Sequence, residues 1–404
     1  MPVSVSDLQF NPRVEAMQPS ATLAMTARVK QRRREGFPVI GLSAGEPDFD
    51  TPAPIAEAAI QAIREGFTHY TENAGMLALR EAICDKLARD NNLAYEADQI
   101  VCSNGAKQSV ALAVTALCRP GDEVLVPAPY WVSYPEMVRF AGAEPVAVET
   151  SVNNEYRLTP ADLEAAITDQ TRILIFCSPS NPTGSVYTLA EMEALAEVLR
   201  RHEQVYVISD EIYEYVVYDV ELVSFASLPG MKERTITVNG FSKGYAMTGW
   251  RLGYLAAEKS IAKAASKIQS QFTSAPSSIS QKAGLAALNM DHSLVLEMVA
   301  AFRSRRDFML DRFSRIDGVR CPKPEGAFYL FPDMSAFFGR TAPSGRRIET
   351  GDDLCFYLLE EHNVALVPGQ AFGDPNGLRI SYAASMADLE EAMRRIETGL
   401  SELQ

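Results

Sequence analysis

Two hydrophobic periods alternate along most of this chain. Between about residues 53 and 290, short apolar runs recur: Ile100-Val101-Cys102, Val124-Leu125-Val126, Ile173-Leu174-Ile175-Phe176, Val205-Tyr206-Val207-Ile208, Ile236-Thr237-Val238 and Leu252-Gly253-Tyr254-Leu255. Between these runs, apolar residues fall at helical spacing, which predicts helices over 53–65, 76–91, 106–118, 132–141, 160–168, 188–202 and 258–288. Strands that are apolar at nearly every position, separated by helices, indicate an α/β fold with a mainly parallel sheet covered on both faces. Ligands of such sheets bind beyond the carboxyl ends of the strands.

The two ends of the chain have a different texture. An irregular arm leads to a helix over Ala21 to Arg34, with Ser20 as its N-cap and Gly36-Phe37-Pro38 as its stop. A short strand, Val39 to Ser43, then runs into the turn-rich Ala44-Gly45-Glu46-Pro47-Asp48-Phe49-Asp50-Thr51-Pro52. Beyond 290 come a charged helix (about 291 to 315), the run Ala327 to Phe331, and a Gly/Pro/Arg-rich loop from Gly339 to Asp352 with no role legible in it. A helix follows, then strands at Val364 to Val367 and Leu378 to Ser381, and a closing helix with Leu389, Met393, Ile396 and Leu400 on one face. We read three segments: 1–48 as an arm and part of a small domain, 49–290 as a large domain, and 291–404 as the rest of a smaller α+β domain.

Length agrees with this division, because 404 residues exceed what one hydrophobic core usually serves. The net charge of −14 argues against nucleic acid or an acidic membrane surface as partner. The basic run Lys30-Gln31-Arg32-Arg33-Arg34 reads as a solvated helix end. Six cysteines lie far apart without CxxC pairs, as in a reduced cytoplasmic protein, and four scattered histidines make no zinc spacing. Asp7 and Glu15 argue against a transit peptide, and no apolar run reaches the length of a membrane span.

Polar residues gather where the predicted strands end. After Ile100-Val101-Cys102, Ser103-Asn104-Gly105-Ala106-Lys107 opens a helix, and free backbone N–H groups at such a start attract phosphate. Many helices begin this way, and the Walker and dinucleotide patterns are missing. Trp131, in Pro129-Tyr130-Trp131, would stack on a planar ring or pack in the interior. Asn181 stands in Ser178-Pro179-Ser180-Asn181-Pro182-Thr183-Gly184, where its amide is either aimed at a ligand or part of an ordinary turn. Asp210 closes an apolar strand, a costly place for a carboxylate without a cation, though a helix N-cap is its alternative role. Tyr213 follows three residues later.

The densest stretch is Gly240-Phe241-Ser242-Lys243-Gly244-Tyr245-Ala246-Met247-Thr248-Gly249-Trp250-Arg251-Leu252-Gly253. A lysine delivered by a strand end into a Gly-rich loop suits an amine that forms a Schiff base with a carbonyl cofactor, Ser242 and Arg251 gripping an anionic group. Taken alone, it is also compatible with a surface Lys and Arg.

In order and separation, this stretch, together with Ala-Gly-Glu-Pro-Asp-Phe, Ser-Pro-Ser-Asn-Pro-Thr-Gly, Ser-Asp-Glu-Ile-Tyr and Leu-Arg-Ile-Ser-Tyr-Ala, resembles the class I pyridoxal-phosphate aminotransferases over essentially the whole chain. The likeness is greatest to bacterial aspartate aminotransferases of the aspartate/prephenate subgroup. It implies the fold-type-I architecture, with a mostly parallel seven-stranded sheet, and pyridoxal 5′-phosphate as cofactor. Lys243 would carry the cofactor and move the substrate proton, and Asp210 would keep the ring nitrogen protonated. Asn181 and Tyr213 would bind the ring oxygen, and Trp131 would stack. Gly105, Ala106, Ser242, Arg251 and Tyr70 of a neighbouring subunit would hold the phosphate, which implies a homodimer. Arg379 would take the substrate α-carboxylate beside Gly45, while Lys107 and Thr22 would choose the side-chain carboxylate. Aspartate and 2-oxoglutarate are then the expected substrates. Gln18 stands where prephenate-using relatives tend to carry lysine. Activity on prephenate, aromatic or other neutral substrates, a β-lyase reaction, and a DNA-binding regulator are the alternatives. The last would need a helical module for which no basic recognition helix is present.

Overall fold

Seven strands of the expected kind form one sheet in the order Ile100–Ser103, Gly253–Ala256, Thr235–Gly240, Tyr206–Asp210, Thr171–Cys177, Glu123–Ala128 and Glu144–Glu149. The structure, a computed structural model, describes residues 9–404, so Asp7 lies outside the described residues. Gly253–Ala256 runs antiparallel to both neighbours, and the other pairings are parallel.

Period-two alternation splits each buried strand between two cores. Val124, Val126, Ile173, Ile175 and Ile208 enter the main core, whereas Leu125, Leu174, Phe176 and Val207 face a second one. The helix Leu189–Arg201, held at its start by the Thr188–Glu191 capping box, supplies Met192, Leu195 and Leu199 to that second core. Both faces of the sheet are covered, as apolar runs of this length require.

The sheet's topology sets the site. Five strands end at one edge, near Gly105, Trp131, Asn181, Asp210 and Lys243. Because Gly253–Ala256 is antiparallel, its beginning reaches the same edge, with Gly253 opposite both Ser103 and Gly240. Arg251 is thereby delivered to the other site residues. Only glycine fits at 253: a Cβ there would lie 2.3 Å from the backbone nitrogen of Ala106.

Residues beyond 290 add further helices and short strands. The helix Ser293–Phe313 leads to a three-stranded sheet, Val367–Pro368, Leu378–Ser381 and Tyr329–Leu330, on which Gly351–His362 packs, with Met386–Glu402 against that helix and Ser293–Phe313. The early strand Ile40–Gly41 pairs in parallel with Val364–Ala365, so chain from before the large sheet joins this region. The helix Ala21–Arg34 begins at Ser20, whose hydroxyl accepts from the Leu23 N–H.

Three expectations need correction. The segment 258–288 is two helices, Lys259–Phe272 and Ser278–Asn289. Apolar spacing continues across the break, but Ser274 turns to φ +56°, Pro276 cannot donate, and Ser277 caps the second helix. The edge strand Glu144–Glu149 is missing from the apolar runs because half of its positions are exposed and only Val148 is buried. The loop said to run to Asp352 ends earlier, since Thr350 and Asp353 form a capping box that starts a helix at Gly351.

Candidate active site

The strand ends, the early chain and the segment beyond 290 line a cavity of about 410 Å³. Thr22, Gly45, Ala106, Lys107, Trp131, Asn181, Asp210, Tyr213, Ser242, Lys243, Arg251 and Arg379 all line it. Residues read separately from sequence are thus brought to one cavity.

Lys243 lies beyond Thr235–Gly240, and its Nζ donates to the carbonyl of Gly45. Burial pushes its ammonium down to about 8, partly opposed by Glu46. An amine in that range is about one-tenth unprotonated at pH 7, a far larger nucleophilic fraction than an ordinary lysine keeps. Asp210, at the end of Tyr206–Asp210, is only 4% exposed. It accepts from the Tyr134 hydroxyl at 2.7 Å and from the Ile212 N–H at 3.2 Å. Burial raises its carboxyl, and those bonds and Lys243 oppose the rise. No helix begins at Asp210, so it is not an N-cap.

Arg379 comes from the strand Leu378–Ser381 and is 1% exposed. Its Nη1 donates to the Asn181 side-chain oxygen at 3.1 Å and its Nη2 to the Ser43 carbonyl at 2.7 Å, while Nε has no partner. Its Cζ lies 4.7 Å from the centre of the Tyr329 ring. Lys107 sits one residue into the helix Ala106–Leu117, its ammonium 4.9 Å from the Trp131 ring centre and lowered in pKa by burial and by Arg251. Trp131 itself packs edge-on against Tyr134 at 5.3 Å.

Arg251 adopts φ +53° and donates to the carbonyls of Thr248 and Asn104. Gly105 does not line the cavity, and its own N–H is bonded to Ser103; a Cβ there would lie 2.6 Å from Arg251. Ala106, at the helix start, faces the cavity. Tyr70 does not join the group: it is 98% exposed. Gln18 is outside the lining, and its N–H donates to Glu136.

Sequence reading missed Glu46, Tyr134 and Tyr329, all of which line the cavity. Glu46 accepts from Thr248 at 2.9 Å. Its signal was its place in the turn-rich loop, whereas Tyr134 and Tyr329 read as ordinary apolar positions.

Known proteins share this fold. Residues 38–396 match the family described as aminotransferase class I and II. The chain belongs to that family. A relative from Petunia hybrida, named bifunctional aspartate aminotransferase and glutamate/aspartate-prephenate aminotransferase, is 55% identical over 398 residues, covering 98% of this chain and 83% of the relative. The crystal structure of the aspartate aminotransferase from Rhizobium meliloti superposes with a TM-score of 0.95 at 46% identity, covering 98% of this chain and all of that one. The aspartate aminotransferase from Thermus thermophilus with maleate gives 0.91 at 40%, covering 97% of this aminotransferase and 99% of its own chain.

Proposed function

We propose that this aminotransferase uses pyridoxal phosphate to move the amino group of aspartate to 2-oxoglutarate, yielding oxaloacetate and glutamate. The observation that carries the reading is the pairing of two cations, Arg379 and Lys107, in one cavity with the depressed lysine Lys243. A dicarboxylic amino acid presents two carboxylates and one amine to such a site. The names of the Petunia, Rhizobium and Thermus relatives support aspartate.

The donor set suits the cofactor. Ala106 at a helix start, Ser242 and Arg251 gather hydrogen-bond donors and positive charge for a phosphate dianion. Asp210, buried and without an ion-pair cation among the described residues, suits a protonated ring nitrogen. Asn181 and Tyr213 would hold the ring oxygen and Trp131 the ring face, with Gly105 supporting the phosphate loop. Bound there, pyridoxal phosphate supplies the carbonyl that takes up the amino group and a ring that withdraws electrons from the substrate Cα.

The chain's own residues do the rest. Arg379 would bind the α-carboxylate with its planar fork beside Gly45, which leaves room for it. Lys107, helped by Thr22, would bind the distal carboxylate. Lys243 Nζ would take the proton from the substrate Cα and return it on the cofactor side. Asp210 would keep its charge because its partner is a cation.

Further proposals follow from the same reading. Tyr70, exposed in one copy, would reach the phosphate of a second, which makes the protein a homodimer. Residues 1–48 and 291–404 would form the small domain and 49–290 the large one, a division supported by the pairing of Ile40–Gly41 with Val364–Ala365. Six free cysteines support a cytoplasmic protein. No single helix among the described residues is long and apolar enough to cross a membrane.

A screen of amino donors and oxo-acid acceptors on the purified protein tests the function. Preference for aspartate and glutamate over phenylalanine and cystathionine supports it; preference for the aromatic donor, or pyruvate release from cystathionine, overturns it. Prephenate belongs in the acceptor set because it appears in the Petunia relative's name, while Gln18 weighs against it.

A further inference from the structure

Tyr329 occupies a place that interior packing alone does not explain. It lies in Tyr329–Leu330, paired antiparallel with Ile380–Ser381, so it stands beside the strand that carries Arg379. It is wholly buried in side-chain terms, yet it lines the cavity. Its hydroxyl is 2.8 Å from that of Tyr213, and its ring centre is 4.7 Å from the Arg379 guanidinium carbon. Tyr213 follows a strand of the large sheet and Arg379 sits on a strand of the small one, so this single side chain touches a functional group from each domain.

The surroundings fix it in that position. Phe328 packs edge-on against Tyr213 at 5.6 Å and tilted against Tyr329 at 4.8 Å. Across the cavity wall, a Cβ on Gly45 would come within 3.1 Å of the Tyr329 oxygen. Phenylalanine would fill the same space as the Tyr329 ring, so only the hydroxyl distinguishes a positioning role from packing. Burial raises both phenols, which keeps each neutral. Two neutral hydroxyls share one hydrogen bond; when Tyr329 donates, the proton of Tyr213 is free to point elsewhere and is a stronger donor for it.

We infer that Tyr329 is a positioning residue that holds both ends of the reacting centre: its hydroxyl aims Tyr213, and its ring seats Arg379 for the α-carboxylate. The inference rests on the cofactor reading above. Removing the hydroxyl affects only the first task, and removing the ring affects both.

The test uses the cofactor-loaded protein with Tyr329→Phe and Tyr329→Leu. Two quantities are read: the pH midpoint of the visible cofactor band, and the calorimetric affinity for maleate, a dicarboxylate without an amine. In Tyr329→Phe the weakened Tyr213 donor should raise the midpoint by about 0.5 pH, with maleate affinity within about twofold of the parent. Tyr329→Leu should in addition weaken maleate about tenfold, because Arg379 loses the nearer of its two aromatic neighbours and keeps only the Phe372 ring at 5.1 Å. An unmoved midpoint in Tyr329→Phe overturns the inference, and so does full maleate affinity in Tyr329→Leu. If the parent itself shows no visible band when given pyridoxal phosphate, the cofactor reading fails first and takes this inference with it.

Discussion

The side-chain oxygen of Asn181 accepts a hydrogen bond from Nη1 of Arg379 at 3.1 Å, joining two residues 198 positions apart. The contact fastens the loop after Thr171–Cys177 to the strand Leu378–Ser381, and with the Ser43 bond it fixes the plane of the guanidinium. A fork held in this way is ready to pair with a planar carboxylate, and its unpartnered Nε leaves capacity to do so.

Replacing Arg379 should therefore damage every substrate alike. Arg379→Lys and Arg379→Ala are expected to lower kcat/KM on the order of a hundredfold or more, chiefly through KM, for aspartate, glutamate and alanine. Steady-state kinetics with the three donors checks this. A loss confined to the dicarboxylates would mean that the two carboxylate roles are exchanged.

Lys107 should behave in the opposite way. It is exposed, with its ammonium over Trp131, so its charge is partly screened. Lys107→Met should cost about tenfold in kcat/KM for aspartate and glutamate and leave alanine nearly unchanged.

How much of this was legible in the sequence follows from which residues carry local signals. Lys243, Asp210, Asn181 and Arg379 stand at strand ends or on a short strand with polar neighbours, and the structure gathers them into one cavity. Tyr329 lies in an apolar run, so nothing local separated it from the core; its meaning comes from Tyr213 and Arg379, 116 and 50 positions away. The same holds for Tyr134, whose hydroxyl meets Asp210 across 76 positions. In the fold, the strands with continuous apolar runs were readable. Glu144–Glu149 was not, because an edge strand needs few buried positions, and the helix break at Ser274 was hidden under unbroken apolar spacing.

The pH dependence of the cofactor-free protein should expose Lys243. Its ammonium is held at about 8, below its usual 10.5. Below pH 8 the amine is protonated whether folded or unfolded, and the folded state bears the full cost of the buried charge. Between 8 and 10.5 the unfolded chain binds the proton and the folded one does not, so stability rises with pH through this window. The rise from this group is at most roughly 3 kcal/mol, reduced by solvent near the partly exposed side chain. Denaturant unfolding across the window should show it, and Lys243→Met should remove that part of the slope.

Lys86 forms a buried ion pair with Glu214, and its Nζ also donates to Asn91 at 2.7 Å. The pair anchors the turn that carries Tyr213 against the helix Leu77–Asn91. Lys86→Met alone should destabilise by about 3–5 kcal/mol, since it leaves a buried carboxylate unpaired, whereas Lys86→Met with Glu214→Leu should recover most of the loss. Denaturation midpoints of the three proteins decide it.

The central claim is that the cavity takes the amino group from a dicarboxylic amino acid and keeps it until an acceptor arrives. Its most direct measurement is the half-reaction: aspartate added to the cofactor-loaded protein with no oxo acid present. The visible cofactor band should shift, and about one oxaloacetate should be released per site, with 2-oxoglutarate then restoring the band. A band that stays unchanged with aspartate, or that responds to phenylalanine but not to aspartate, would contradict the account.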